Sequence, residues 1–236
     1  VRGRGVTKVV MPVLAAVRGE PWRRRLYLPA YQVSDAARYA RTSPQTVANW
    51  HYRNGDSVPV LPGKEHRRPL SYLQLIEVAV VAVFRQFAVP LRSIRRAREY
   101  MAQNFNAEYP FAEYKFKTDG YHLLMNVREF EPEIQIPETL IVLDQGGQLG
   151  WERMMVDRLF EFDYEFDLAL KWHVAGRQSP VLIDPRIAFG APTVKGVATW
   201  ILKGRYQAGE CLADMREDFG LTEDELQFGL EFEGIR

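Results

Sequence analysis

The hydrophobic and polar positions near the start of the chain follow a helical period and predict two short helices separated by a tight turn. The first is expected over residues 35–40, after Ser34, and the second over residues 45–50, after Ser43 and Pro44. Serine can cap the first turn of a helix, and proline is tolerated at the first helical position, so both starts carry a capping signal. Small apolar side chains let the two helices cross closely: Val33, Ala36, Ala37, Ala40, Val47 and Trp50. This pattern predicts a helix-turn-helix, with a plain helical hairpin as the alternative.

Two longer helices are predicted further along the chain. One follows Ser71 and is apolar on nearly all sides, which is typical of a buried core helix and too short for a membrane span. The other opens at Pro90, with an inner stripe formed by Leu91, Ile94, Ala97 and Met101. Its arginines are expected to face outward, where they can follow a DNA backbone: Arg92, Arg95, Arg96 and Arg98.

The second short helix and the residues after it carry candidate DNA contacts. Side chains that can bond base edges or phosphates from a major groove are Arg41, Ser43, Gln45, Thr46, Asn49 and Arg53. Residues 58–69 then predict a two-stranded ribbon with a basic tip, a wing whose cations would neutralise phosphates. Those cations are Lys64, His66, Arg67 and Arg68. An ordinary solvated charge run is the alternative to the wing.

Charge divides the chain into two unlike halves. Residues 1–110 contain 18 Lys and Arg against 7 Asp and Glu, so their net charge is +11. Residues 111–236 contain the other 13 and 23, which gives −10, although the whole chain of 236 residues carries only +1. Such an asymmetry favours a basic half that faces nucleic acid and an acidic half that meets another partner.

The acidic half begins with a period of two, which predicts strands. Residues 111–117 and 121–127 flank an Asp-Gly pair, a strong hairpin signal. Residues 140–143 predict another strand, and residues 164–172 predict an alternating one. Carboxylates alternate with aromatic side chains just before it and could hold magnesium. On a strand they share one face, however, so a solvated edge is the simpler interpretation of Glu161, Asp163, Glu165 and Asp167.

The stretch from Tyr31 to Phe105 resembles the DNA-binding domain of MerR-type regulators, because a helix-turn-helix, a wing and two supporting helices follow one another in that order. The resemblance implies a winged helix-turn-helix head that binds double-stranded operator DNA.

The end of the chain carries a second resemblance. Residues 184–196 have the spacing Asp-Pro, Ile187, Gly190, Pro192 and Gly196, followed by a short helix. Next come Ala-Gly-Glu at 208–210, a helix ending in an aromatic residue, and a final helix capped by Leu-Thr. These landmarks resemble the small VapB-type antitoxin domain formerly of unknown function, with Ala191 where a second glycine is usual.

Together the two ends resemble a fused VapB-type antitoxin. The resemblance implies a PIN-type ribonuclease toxin as partner and repression of the operon that encodes the pair. A PIN nuclease contacts RNA, so we expect basic surface around its acidic metal site, and the acidic half suits that basic rim. Alternatively, antitoxin cations could enter the metal site; the candidates for this toxin-binding role are Arg186, Lys195 and Arg205.

The predicted fold class is α+β: a MerR-like winged helix-turn-helix head, a central region of hairpins and strands, and a small C-terminal helical domain. The expected boundaries are a 1–27 extension, a 28–106 DNA-binding domain, a 107–178 acidic middle region and a 179–236 antitoxin domain. Because palindromic operators require two heads, a homodimer is expected.

No catalytic or cofactor site is predicted. The four histidines are scattered, no phosphate-binding glycine loop is evident, and a lone Cys211 cannot form an internal disulfide or a structural zinc site. With no signal peptide or membrane anchor visible, a cytoplasmic protein is expected. The competing hypothesis is a ligand-gated MerR-like regulator whose aromatic middle encloses a small molecule, with Trp151, Phe160, Tyr164 and Trp172 as its lining.

Overall fold

The computed structural model describes residues 21–52, 59–62, 68–113 and 160–235. Helices and a five-stranded antiparallel sheet occur together, which confirms a mixed fold of the α+β kind. Most of the hairpin predicted over residues 111–127, the strand over 140–143 and the residues at the tip of the predicted wing lie outside the described residues. Among those described, no helix is both long enough and apolar enough to cross a membrane.

The described residues between 21 and 113, which we call the head, form five helices and a short 3-10 turn. The helices are α1 (Pro21–Arg25), α2 (Val33–Tyr39), α3 (Pro44–His51), α4 (Tyr72–Gln86) and α5 (Leu91–Phe105), and the 3-10 turn is Pro110–Ala112. The predicted caps at Ser43 and Ser71 are confirmed, since their hydroxyls accept from the amides of Thr46 at 3.0 Å and Gln74 at 3.3 Å. Ser34 is not a cap, because α2 begins earlier, at Val33, with Gln32 as its N-cap residue; the Gln32 amide donates to the Asp35 carboxylate.

Helix α4 forms the centre of the head, buried on nearly all sides as predicted. It also buries Glu77, whose carboxylate accepts from Arg98 Nε at 2.6 Å and from the Phe111 amide at 2.7 Å. Burial raises the pKa of Glu77, and the Arg98 guanidinium opposes that shift. The expectation that Arg98 faces outward is therefore wrong: a buried carboxylate needs a partner, and Arg98 supplies it.

The sheet has the order β1-β2-β3-β4-β5, each strand antiparallel to the next. Its strands are β1 (Phe162–Glu165), β2 (Leu168–Trp172), β3 (Val181–Ile183), β4 (Pro192–Val194) and β5 (Val197–Ala198). Residues 164–172 are thus two strands rather than one, because Phe166 and Asp167 adopt positive φ and turn the chain. Strand β2 pairs with β3 through Trp172 and Ile183. Residues 173–180 connect these two strands, so one sheet contains strands from both sides of the boundary predicted between residues 178 and 179. The proposed domain boundaries stay predictions.

Three helices complete the tail: α6 (Thr199–Gln207), α7 (Leu212–Phe219) and α8 (Glu223–Phe232). Helices α6 and α8 pack on the sheet, and α7 packs on both of them. Helix α8 approaches α6 closely at Gly229, where an added Cβ would lie 2.6 Å from Leu202. A capping box at Thr222 and Glu225 starts α8, as the sequence predicts for this helix.

Head and tail share one hydrophobic core and are joined by polar contacts. The Tyr31 hydroxyl donates to the Gly190 carbonyl at 2.9 Å. Arg38 of α2 donates to the Phe232 carbonyl at 3.1 Å, and Tyr39 stacks on the Phe232 ring with centroids 6.0 Å apart. The tail therefore packs against the end of α2, while the outer face of α3 stays exposed.

Candidate nucleic-acid interface and partner-binding residues

The turn between α2 and α3 presents α3 on the surface. Arg41 adopts a left-handed conformation with φ 55°, and the Thr42 amide donates to the Ala37 carbonyl at 2.9 Å, which closes the turn. The predicted small apolar residues lie beneath it: Ala36, Ala37, Ala40, Val47 and Trp50 are all buried. This packing fixes the direction in which the outer face of α3 points.

The outer face of α3 carries several of the candidate DNA contacts. Arg41, Ser43, Gln45 and Asn49 are exposed, while Thr46 is half-buried and close to the Ser43 hydroxyl at 2.8 Å. Gln45 Nε2 donates to Asn49 Oδ1 at 2.8 Å, so the two amides already form one hydrogen-bonded pair on adjacent turns. Paired amides of this kind retain free donors and acceptors for base edges.

The segment predicted as a wing is described only in part. Residues 59–62 pack back on α3: the Leu61 amide donates to the Trp50 carbonyl at 3.0 Å, and His51 Nδ1 lies 2.8 Å from the Pro62 carbonyl. Arg68 is exposed, next to a two-residue antiparallel bridge between Tyr31 and Leu70. The remaining candidate contacts, Arg53, Lys64, His66 and Arg67, lie outside the described residues.

The three candidate toxin-binding cations are all held by carboxylates of the tail. Lys195 lies 2.8 Å from Glu225, and its side chain is 52% exposed. Arg205 bonds Glu210 and lies 2.6 Å from Asp218. These contacts define internal ion pairs rather than a single shared site.

Arg186 has a structural position that the sequence did not reveal. Its guanidinium bonds the buried Asp184, at 2.7 Å from Nη2, and Glu165, at 2.5 Å from Nη1, and lies 5.7 Å from the Trp22 ring centroid. The two carboxylates raise the pKa of Arg186. It thereby ties β1, the end of β3 and α1 together. The sequence signal for the pair of Arg186 and Asp184 was an aspartate two residues before the arginine. No sequence signal pointed to Glu165, because it lies 21 residues away in the chain.

The four alternating carboxylates do not form one solvated edge. Glu161 is buried and accepts from Trp172 Nε1 at 3.4 Å, so the predicted exposed face is wrong at this position. Asp163 bonds Arg177 at 2.6 Å and His173 at 3.0 Å, which lower its pKa although burial opposes them. Within the described part of the chain, no group of three or more His, Cys, Asp or Glu could hold a metal ion.

The aromatic residues proposed to line a ligand pocket are partly core. Trp172 is buried and stacks on Phe162 with centroids 5.6 Å apart. Phe160 is exposed, Tyr164 is half-buried, and Trp151 lies outside the described residues. Of the three described aromatic side chains, one is therefore buried, one is half-buried and one is exposed.

A solved structure and a curated protein resemble this chain, while no family model matches it. The fold is that of "X-ray crystal structure of Rv2018 from Mycobacterium tuberculosis", with a TM-score of 0.66 and 24% identity, covering 87% of this chain and 99% of that one. The sequence is 24% identical over 229 residues to the Mycobacterium tuberculosis protein named "Putative antitoxin VapB45", covering 88% of this chain and 95% of the relative. The chain is thus similar to a VapB-type antitoxin over both head and tail.

Proposed function

We propose that this protein is the antitoxin of a type II toxin-antitoxin pair, which inhibits a PIN-type ribonuclease toxin and represses its own operon. The observation that carries the proposal is the similarity to the protein named "Putative antitoxin VapB45", because it spans nearly the whole of both chains. The PIN type of the toxin rests on the resemblance of residues 179–236 to the VapB-type antitoxin domain.

DNA binding is assigned to the head, as a MerR-like winged helix-turn-helix. The exposed Gln45 and Asn49 on α3 and the exposed Arg41 before it support this role, since they project from a helix whose other face is buried. The base-reading contacts come from α3, and phosphate contacts come from the basic residues at 64–68. A homodimer would place two heads on a palindromic operator.

Toxin binding is assigned to the tail. Residues 160–235 contain 7 Lys and Arg against 14 Asp and Glu, so their net charge is −7. A nuclease that handles RNA presents basic surface around its active site, which makes the acidic tail a complementary partner. Inhibition in this scheme is steric and electrostatic, and the antitoxin acts without catalysis or a cofactor.

The test is coexpression with the nuclease encoded beside this chain's gene, followed by copurification and a growth assay with the nuclease alone. A stable complex and a toxic nuclease that the chain neutralises are the expected results. A harmless neighbour that forms no complex would contradict the proposal, and a metabolite-dependent change in operator affinity would then favour a ligand-gated regulator.

A further inference from the structure

Helix α1 and two turns of the tail form a surface that contains none of the predicted DNA contacts and none of the candidate toxin-binding cations. Phe166, in the turn between β1 and β2, is 57% exposed, and Phe189, in the 3-10 turn Ala188–Gly190, is 77% exposed. Arg23 Cζ lies 5.0 Å from the Phe166 ring centroid, and Arg25 Cζ lies 4.6 Å from that of Phe189. We call this set the arginine-phenylalanine surface: Arg23, Arg24, Arg25, Phe166 and Phe189.

Both phenylalanines are held outward by backbone that such residues rarely adopt. Phe166 has φ 53° and Phe189 has φ 55°, in the left-handed region that costs free energy for any residue but glycine. Ala188 and Gly190, on either side of Phe189, also have positive φ, of 44° and 82°. Since both rings are mostly exposed, the fold gains little from presenting them, and strain of this kind is typical of binding sites.

The 3-10 turn is fixed before any partner arrives. The Gly190 amide donates to the Ile187 carbonyl at 2.8 Å, and the Gly190 carbonyl accepts from the buried Tyr31 hydroxyl. The Arg186 guanidinium contacts α1 through the Trp22 ring, with Cζ 5.7 Å from the ring centroid. A surface whose backbone is already fixed loses less conformational entropy on binding.

We propose that the arginine-phenylalanine surface docks on the toxin, in an apolar hollow whose carboxylates face the arginines. This inference rests on the proposed function and deepens it by naming the surface and the chemistry of its partner. Helix α1 has three consecutive arginines and no acidic residue in its first turn, so it forms a basic island beside a tail of net charge −7. A toxin surface with an acidic centre inside a basic rim would complement both the arginines of α1 and the acidic tail.

The composition of the surface favours a protein over a single-stranded nucleic acid. Arginine and large aromatic residues dominate the binding energy of protein interfaces, and guanidinium groups bond carboxylates through two parallel hydrogen bonds. Bases would need the open faces of the phenyl rings, whereas a guanidinium already covers one face of each ring here. Carboxylates of the tail already hold Arg186 and Lys195, so these two cations are less suited to the role than Arg24 and Arg25.

The test measures the dissociation constant between this chain and the adjacent nuclease for substituted antitoxins. Phe166→Asn and Phe189→Asn remove the rings and introduce asparagine, a residue that tolerates positive φ. Each is expected to weaken binding about tenfold or more, and the double reversal R24E/R25E is expected to do the same with a changed salt dependence. Circular dichroism and thermal unfolding establish that the variants fold.

Tyr100→Gln and Tyr52→Gln are the matched controls, because these aromatic side chains are 51% and 40% exposed but lie on α5 and at the end of α3, outside the tail to which toxin binding is assigned. They are expected to change the dissociation constant by less than about twofold. Binding by all three surface variants at wild-type strength would overturn the inference and leave the antitoxin role intact. A wild-type chain that binds no nuclease would overturn the proposed function, and the inference with it. Loss in the same variants of binding to a single-stranded oligonucleotide, or of self-association, would overturn the choice of partner.

Discussion

The hydroxyl of Tyr31, at the start of the head, donates a 2.9 Å hydrogen bond to the carbonyl of Gly190 in the tail, 159 residues later in the chain. An added Cβ at Gly190 would lie 2.2 Å from that hydroxyl oxygen. Desolvation by burial raises the pKa of Tyr31, so the hydroxyl remains a donor over the physiological range. One contact therefore requires a glycine in the tail and a phenol in the head.

Gly190→Ala is expected to destabilise the protein more than a strained turn alone would. Gly209→Ala is the control, because Gly209 also has positive φ, 85°, but a Cβ there meets nothing within 4 Å. We expect the control to cost about 1–3 kcal/mol through backbone strain, and Gly190→Ala to cost about 1–3 kcal/mol more through overlap with Tyr31. Urea unfolding of both variants measures the difference.

A double-mutant cycle separates the overlap from other effects. Tyr31→Phe alone should cost about 1 kcal/mol for the lost hydrogen bond, and it removes the oxygen that a methyl group added at Gly190 would strike. Gly190→Ala should therefore cost less in the Tyr31→Phe background than in the wild type. Strictly additive free energies of unfolding would show that the two residues do not meet.

Arg98→Met is expected to destabilise the head by about 3–5 kcal/mol, because it leaves the buried Glu77 carboxylate without its cation. In the Glu77→Gln background the same substitution should cost less, since the neutral amide can still accept from the Phe111 amide. Arg96→Met, on the exposed side of the same helix, is the control and should have a small effect. Equal losses for Arg98→Met and Arg96→Met would contradict this role of Glu77.

Glu165 should make stability depend on pH in the acid range. Hydrogen bonds from Arg186 and Lys171 lower the pKa of Glu165 from 4.5 to about 2. Above pH 4.5 the carboxylate is charged in both states and the ion pairs stabilise the fold. As the pH falls from 4.5 towards 2, the unfolded chain takes up the proton first, so this stabilisation is lost.

The measurement is urea unfolding at a series of pH values across that interval. Glu165→Gln should lose stability less steeply than the wild type as the pH falls. Asp167→Asn removes one carboxyl group from the same turn and suits its positive φ, so it controls for the change in charge. Identical pH profiles for Glu165→Gln and the wild type would rule out the coupling.

Gln45→Ala and Asn49→Ala are each expected to weaken specific operator binding by about 1–3 kcal/mol if α3 reads bases. Gln227→Ala is a matched control, because Gln227 donates to Glu231 at the same 2.8 Å and the same spacing on α8. A DNA fragment from upstream of the gene, tested beside a scrambled fragment, gives the specificity ratio. Unchanged specificity in both α3 variants would exclude α3 as the recognition helix.

Arg68→Ala should act differently from the α3 variants. The exposed Arg68 is placed to neutralise a phosphate, so its loss should weaken operator and scrambled DNA alike. The slope of log affinity against log salt concentration should fall by about 1. A sequence-selective loss instead would move Arg68 from backbone contact to base reading.

The sequence predicted the four helices α2 to α5 of the head. Caps at Ser43 and Ser71 and the apolar pattern of α4 are local signals, because a helix start depends on residues three or four positions apart. Both caps are present, and α4 is buried as expected. The prediction of a cap at Ser34 was wrong, because α2 begins at Val33 and its N-cap is Gln32.

Partners distant in the chain could not be predicted. Arg98 was expected outside and Glu161 on a solvated edge, yet one is held by Glu77 and the other lies beside Trp172. A period of two also suggested one strand over residues 164–172, and positive φ at Phe166 divided it. A pattern reports which side chains share a face of one element, but not what packs against that face.

The sequence by itself determined helices α2 to α5, the opposite charges of the two halves, and the landmarks that resemble VapB-type antitoxins, since all of these are read along the chain. Only the tertiary structure decided that the tail sits on α2 through Phe232, that Arg186 ties the tail to α1, and that Phe166 and Phe189 face solvent beside arginines. These relationships join residues up to 194 positions apart. Which of them meet depends on the free energy of packing the whole core, which no local pattern records.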